Sequence, residues 1–358
     1  MKEIISIAPG RTCLFGDHQD YLGLPIIACA INRHITLKAT KNNSESFNID
    51  LPDINKKRRI QIFEEVEKLE KEDFLQSSLK VLKRYNCIPD SGYDILITGT
   101  IPINSGTSSS SALTVAWVQF LLKAFGPEKL LTPENISQLA FEAEVLEFNN
   151  PGGKMDQYSI GLGNIIYLET GDDFSYDVLK APLTGLIMAD SGVPKETTAL
   201  LKRLKTNSWL AIEEVKNKIP NFKVETANFD DLQKYLDCVS SDLKPYLEAA
   251  IGNFTVTKRA LIEFKKEQLN LVKIGKLMNQ HHHYLKNLLK ITVPKIDAMI
   301  DAALSEGALG AKIVGSGGGG SIAVLSPKNK ETAIKKALFN AGAKDVYIAA
   351  VDQGARIE

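Results

Sequence analysis

Apolar and polar positions along the chain follow two rhythms, and where one replaces the other marks out the elements. Near the N-terminus the apolar runs are short and rich in β-branched residues. Ile4 to Ile7, Leu24 to Ala30, Ile35 to Thr40 and Tyr93 to Ile97 each predict a strand, with Pro9-Gly10 expected to break the first. Lys56 to Tyr85 is charged, and Phe63, Val66, Leu69 and Phe74 at inward spacing predict a helix there. Ala112, Val115, Ala116, Gln119 and Phe120 share a helical face, which Gly126-Pro127 ends. Leu139 to Phe148 is a second such helix, stopped by the breaker cluster Asn149 to Gly153. Asn164 to Leu168 and Thr184 to Ala189 read as strands, and Thr197 to Leu304 is mostly helical with Lys/Glu faces turned to solvent. The C-terminal part alternates again: strands at Ala311 to Val314, Ile322 to Leu325 and Val346 to Val351, with a helix over 328–341. This mixed order predicts an α+β protein rather than a doubly wound parallel sheet.

A chain of 358 residues suggests about two domains, and the strands after residue 164 place the boundary near 183/184. Lys and Arg total 43 against 43 Asp and Glu. That balance provides no basic field for nucleic acid or an anionic membrane, so a small-molecule partner is expected. Four scattered cysteines with no CxxC pair read as reduced core thiols. The first residues lack a signal-peptide core, and no apolar run approaches the ~18 residues of a membrane span. A cytoplasmic protein, monomer or homodimer, is the expectation.

Four segments carry candidate chemistry. Pro102 to Ala112 is a loop of small residues running into a helix, where Gly106 permits tight curvature and hydroxyls and free N–H groups favour an anion. A serine-rich helix cap is the plain alternative. Asp17, His18, Asp20 and Tyr21 cluster within five residues, a donor and acceptor set suited to a polyhydroxylated ligand. His18 has no partner at metal-ligand spacing. Glu144 and, after the breaker cluster, Asp156 form an acidic pair, one acid suited to Mg2+ and the other to a hydroxyl. Gly315, Gly317 and Gly320 spell GxGxxG, but a predicted strand follows, so the dinucleotide reading is rejected. Walker A and protein-kinase signatures are missing, and His281-His282-His283 reads as a partly buried helix surface, not a metal site.

Taken together, Pro9-Gly-Arg to Asp-Tyr21, Pro102-x-x-x-Gly-Thr-Ser-Ser-Ser110 and Gly315-Ser-Gly-Gly-Gly-Gly320 make the chain resemble the GHMP kinase superfamily. That superfamily includes galactokinase, homoserine kinase, mevalonate kinase and phosphomevalonate kinase. Thr107 stands where the family usually has leucine and Ser111 where alanine is common. The resemblance implies an N-terminal α+β domain, 1–183, with a left-handed β-α-β crossover. It also implies a ferredoxin-like α/β-plait domain, 184–358, with ATP and a phosphate acceptor meeting in the cleft between the two. Gly106, Thr107, Ser108, Ser109 and Ser110, with Gly317 and Gly318, would wrap the ATP phosphates. Ser110, with Ser109 as the alternative, would join Glu144 on Mg2+. Asp156 would be the catalytic base and Arg11 its support, while Asp17, His18, Asp20 and Tyr21 would bind the acceptor.

Arg11, Asp17-His-Gln-Asp-Tyr21 and the 12-residue step from Glu144 to Asp156 resemble galactokinase. Leu277-Met-Asn-Gln-His-His282 and Gly307-Ala-Leu-Gly-Ala-Lys312 are similar to mevalonate kinase. A galactokinase-like sugar 1-kinase is the expectation, a mevalonate kinase the first alternative and a non-catalytic sugar sensor the second. Asp17 replaces the glutamate of the galactokinase pattern, which opens the question of which sugar is bound.

Overall fold

The computed structural model describes residues 3–63, 69–194 and 197–358. Along the chain come β1 (Ile4–Phe15), β2 (Ile26–Lys41), β3 (Ser46–Leu51), β4 (Lys56–Gln61), α1 (Phe74–Lys83), β5 (Tyr93–Gly99), α2 (Ser109–Phe125), α3 (Pro133–Phe141), α4 (Met155–Leu162), β6 (Ile165–Glu169) and β7 (Ser175–Leu179). After these follow β8 (Leu186–Asp190), α5 (Thr197–Lys218), α6 (Leu232–Leu236), α7 (Lys244–Phe264), α8 (Leu271–His283), α9 (Pro294–Ser305), β9 (Gly310–Ile313), β10 (Ser321–Leu325), α10 (Glu331–Asn340), β11 (Asp345–Ile348) and β12 (Arg356–Ile357). They form two sheets. One runs β12-β1-β2-β5-β3-β4, with β6 and β7 attached through β2, and the other runs β11-β8-β10-β9.

Three expectations need correction. Pro9-Gly10 does not end the first strand: β1 continues to Phe15, with its pairing to β2 shifting between Pro9 and Gly10. The shift absorbs proline's missing donor as a bulge. Likewise the two strands expected at 24–30 and 35–40 are one long β2, whose start pairs with β6 and whose end pairs with β5. The helix expected over 56–85 is confined to α1. Lys56–Gln61 is instead an edge strand paired to β3, with only Ile60 buried. Alternation with charged residues suits an edge, and ladder hydrogen bonds outweigh local helix propensity. Phe63 is 62% exposed, and Val66 lies outside the described residues.

Cores lie on both sheets and between them. Under the first sheet, α2 packs Trp117 and Phe120 against Phe47, and the Trp117 indole N–H donates to the Leu75 carbonyl at 3.1 Å. The second sheet packs against the helices that follow β8, through residues such as Leu204, Ile251 and Ile296. A third cluster, with Phe15, Ile27, Met188, Phe264 and Met278, spans both sheets. Its continuity holds the end of β1 against the second sheet, where the motif segments converge.

Candidate active site

The serine loop is bent by left-handed backbone at Asn104, Gly106 and Ser108. Outside glycine that conformation is uncommon; at Ser108 it turns the hydroxyl away from the helix and onto Asp156, donating to Oδ2 at 2.6 Å. Opposite Pro9 and Gly10 the extra residues Asn32 and Arg33 bulge on β2, while β1 itself passes close beneath the loop: the Arg11 amide donates to the Thr107 carbonyl at 3.2 Å, and a Cβ on Gly10 would press on that oxygen. Thr107 itself is buried, with its hydroxyl paired to Ser105 at 2.9 Å, so it serves the loop rather than the cleft. Ser109, Ser110 and Ser111 open α2, placing unsatisfied amides and the positive end of the helix dipole at the cleft.

Arg11 is the hub. Its Nε and Nη2 donate to Asp156 Oδ1 at 2.8 and 2.7 Å, and Nη1 donates to the Gly106 carbonyl at 2.6 Å. Burial opposes the guanidinium charge, but the Asp156 carboxylate overrides it and raises the Arg11 pKa. Asp156, in the first turn of α4, remains 30% exposed and faces the cleft. The base expected from sequence and its supporting arginine are thus in direct contact.

Glu144 sits in a π-helical turn, Glu142–Leu146, that continues α3. Such turns bring in an extra residue and recur at functional sites. The Ser111 hydroxyl donates to Glu144 Oε1 at 3.0 Å and Gln157 Nε2 donates to Oε2 at 2.7 Å. Burial first, and Asp156 second among the raising influences, push the carboxyl to about 7 against these donors and Ser110. Gln157, one residue past Asp156, had no role from sequence, and a polar side chain beside an acid was the one available signal. No group of three or more His, Cys, Asp or Glu among the described residues would cage a metal. Glu144 and Ser110 nonetheless offer hard oxygen donors on a buried carboxylate with neutral donors around it. That set fits a Mg2+ that takes its other ligands from phosphate and water.

At the acceptor end, His18 adopts left-handed backbone and its Nδ1 lies 3.2 Å from the Tyr21 hydroxyl. Asp20 Oδ1 accepts from the Tyr21 amide at 3.0 Å, and burial together with Asp156 lifts its pKa to about 6. Gly153 makes room for Asp20: a Cβ at that glycine would overlap the Asp20 carboxylate. Asp17 differs from its neighbours. Both of its oxygens are engaged, Oδ2 by Lys312 Nζ at 2.6 Å and Oδ1 by the Gly315 amide at 2.7 Å. From sequence, Lys312 stood out only as the end of a segment similar to mevalonate kinase.

The glycine loop joins β9 to β10 as a hairpin, in keeping with rejection of a dinucleotide fold. Gly315 and Ser316 line the cleft. Gly317 packs against Ile291, and the Gly318 amide donates to the Ile291 carbonyl at 2.7 Å, so that donor is already used. The Ser316 hydroxyl has no partner among the described residues and is a donor that sequence reasoning missed. Lys154, next to the proposed base in sequence, instead places its ammonium 4.2 Å from the Phe174 ring centre. His282 accepts from the Ile313 amide at 3.4 Å and His283 from Asn287 at 2.8 Å, consistent with a structural role for that histidine run.

These parts surround a cleft of about 520 Å³ whose walls include Arg11, Asp20, Ser109, Glu144, Asp156 and Ser316. The GHMP kinases N terminal domain matches residues 73–164, the GHMP kinases C terminal domain matches 260–344, and the galactokinase galactose-binding signature matches 1–41. Mevalonate kinase of Thermococcus onnurineus is 25% identical over 99% of this chain and 98% of its own length. Galactokinase of Haemophilus influenzae is 27% identical over 100% of this chain and 95% of its own length. The crystal structure of Lactococcus lactis galactokinase complexed with galactose superposes with a TM-score of 0.87 at 22% identity, covering 99% of this chain and 95% of that one. The two-domain fold, the three motifs and the domain matches together place this chain in the GHMP kinase superfamily.

Proposed function

We propose that this GHMP kinase is a galactokinase-like sugar kinase, transferring the γ-phosphoryl group of ATP to the anomeric hydroxyl of galactose or a related sugar. Phosphoryl transfer asks mainly for alignment and charge neutralisation. Asp156 receives the proton of the acceptor hydroxyl, and Arg11 fixes the carboxylate that does so. The amides of Gly106 to Ser110 and the start of α2 receive phosphate oxygens, and Ser316 supplies a donor from the opposite wall. Glu144 and Ser110 hold Mg2+, which when bound neutralises phosphate charge.

The observation that carries the acceptor class is the charge of the cleft. Among the described residues lining it, Arg11 is the only Lys or Arg, and Asp156 and Gly106 occupy it. Asp20 and Asp156 face the same space. Neutral hydroxyls find acceptors there, whereas the carboxylate of mevalonate would meet like charge without a free cation. The match to the galactose-binding signature supports the same reading. Mevalonate kinase is the second reading, favoured by its full-length relatives.

An ADP-release assay with Mg2+, across free sugars and mevalonate, tests the choice. Turnover of galactose or another aldose is expected, and activity on mevalonate alone would replace this reading with the second. In Asp156→Asn, turnover should fall by about 10² to 10⁴ while MgATP still binds. A variant that retains turnover removes Asp156 from the base role.

A further inference from the structure

Asp17 and Lys312 form a buried pair that the phosphoryl-transfer chemistry does not use. Lys312 is 0% exposed and Asp17 1%. The ammonium, on β9 of the second sheet, donates to Asp17 Oδ2 at 2.6 Å and to the Cys13 carbonyl of β1 at 2.9 Å. Asp17 Oδ1 accepts from the Gly315 amide, the first residue of the glycine loop. One carboxylate therefore joins the loop carrying His18 and Asp20 to the loop carrying Gly315 and Ser316. His281 closes the site: its ring is fully buried, lies face to face with Phe15 at 6.1 Å and comes within 4.0 Å of Asp17 Oδ2. Burial first, then Lys312, holds His281 down to about 3. Asp17 is lowered to about 2: burial opposes this, but Lys312, His281 and the Gly315 amide prevail.

We propose that Asp17 is a positioning residue, not an acceptor ligand: paired with Lys312, it locks the acceptor loop to the glycine loop, so each site's geometry depends on the other. The proposal rests on the kinase reading. Asp17 borders the cleft, but both of its carboxylate oxygens are already engaged by protein donors, so acceptor recognition falls to His18 and Asp20. The pair also accounts for aspartate at this position. A glutamate is longer by one carbon–carbon bond, about 1.5 Å, and its carboxylate would overrun an ammonium held on β9 and an amide held in the glycine loop that follows it. The two C-terminal segments with mevalonate-kinase-like sequence, around His281 and Lys312, meet at this point.

The test compares Asp17→Asn, Lys312→Met and the double variant by calorimetric MgATP binding, acceptor KM and kcat, and thermal melting. A buried charge left without its partner is costly, whereas removing both charges is often nearly neutral. Each single variant should therefore melt earlier and bind MgATP about tenfold more weakly, although Asp17 touches no nucleotide. The double variant should recover MgATP affinity and acceptor KM to within about threefold of wild type, the signature of a pair acting as a unit. If the single variants do not accumulate folded, the double variant decides on the same two values. An acceptor KM that stays high in the double variant, with MgATP binding intact throughout, makes Asp17 a direct ligand and overturns the proposal. Single variants that melt earlier yet bind MgATP and acceptor normally reduce the pair to scaffold and overturn it too. Wild-type protein that fails to bind MgATP overturns the kinase reading, and this proposal with it.

Discussion

At the residue scale, the site keeps two acids partly protonated near neutral pH for the same physical reason. Burial disfavours the charge of Glu144 and of Asp20, and Asp156 adds repulsion to each. The sign of the stability effect follows. A carboxyl whose pKa rises on folding binds more protons in the native state, so its contribution falls as pH climbs from the unfolded value through the folded one. For Glu144 that window runs from the ordinary carboxylate range to about 7. Glu144→Gln should therefore stabilise the protein above pH 7, by on the order of 3 kcal/mol from a shift of two to three units. The amide can still accept from Gln157 and donate to the Ser111 hydroxyl. Turnover should fall, and the Mg2+ requirement of wild type should steepen below pH 7, where protons compete for the carboxylate. Melting curves at pH 5 and 8 check the first part and Mg2+ titrations of activity the second. Equal melting shifts at both pH values would mean that Glu144 is not charged at cost in the fold.

At the element scale, legibility depended on whether local pattern or long-range pairing decides a segment. Helix α2 was readable because its stripe, its serine start and its Gly126 stop all agree. The β9–β10 hairpin was readable because Ile322 to Leu325, after the glycine loop, is too short and apolar for a helix. The β4 segment was not, since its strand character comes from pairing with β3, close in sequence but invisible in composition. The bulge opposite Pro9 and the π-turn at Glu144 also escaped, because each is imposed by tertiary packing. Among the candidate site residues, Glu144 and Asp156 were read as an acidic pair and Arg11 came from the family resemblance, whereas Lys312 with Asp17 is a contact across 295 positions. Gly153 lies between these cases: the breaker cluster was visible, but not that its bare α-carbon accommodates Asp20. Gly153→Ala should push the Asp20 carboxylate aside, raising KM about tenfold for whichever acceptor is turned over. MgATP affinity should not change. A shift in nucleotide binding instead would place Gly153 in the phosphate site.

At the scale of the whole molecule, the chain does not divide cleanly in sequence. Strands β1 to β7 belong to the first sheet and β8 to β11 to the second, but the last residues cross back. Asp352 accepts from the Asn164 amide at 2.6 Å and its own amide donates to the Ala30 carbonyl at 3.0 Å. Its carboxylate lies 2.7 Å from His34 Nε2, the Ala355 amide donates to the Ile160 carbonyl, and β12 pairs with β1. We therefore expect the tail to be structurally part of the first sheet, and the third core cluster to make both sheets unfold together. The two tryptophans serve as separate reporters, Trp117 deep under the first sheet and Trp209 on α5 beside the acceptor loop, where its indole N–H donates to the Tyr21 carbonyl at 3.3 Å. In single-tryptophan variants, made by Trp117→Phe or Trp209→Phe, the two melting curves of the full chain should coincide. Ending the chain after Ala349 removes the tail's hydrogen bonds to β1, β2 and α4 but keeps the Ala349 amide on the Leu186 carbonyl of β8. The Trp117 transition should then move to lower temperature ahead of that of Trp209. Curves that still coincide after truncation would show that the shared core, not the returning tail, couples the sheets.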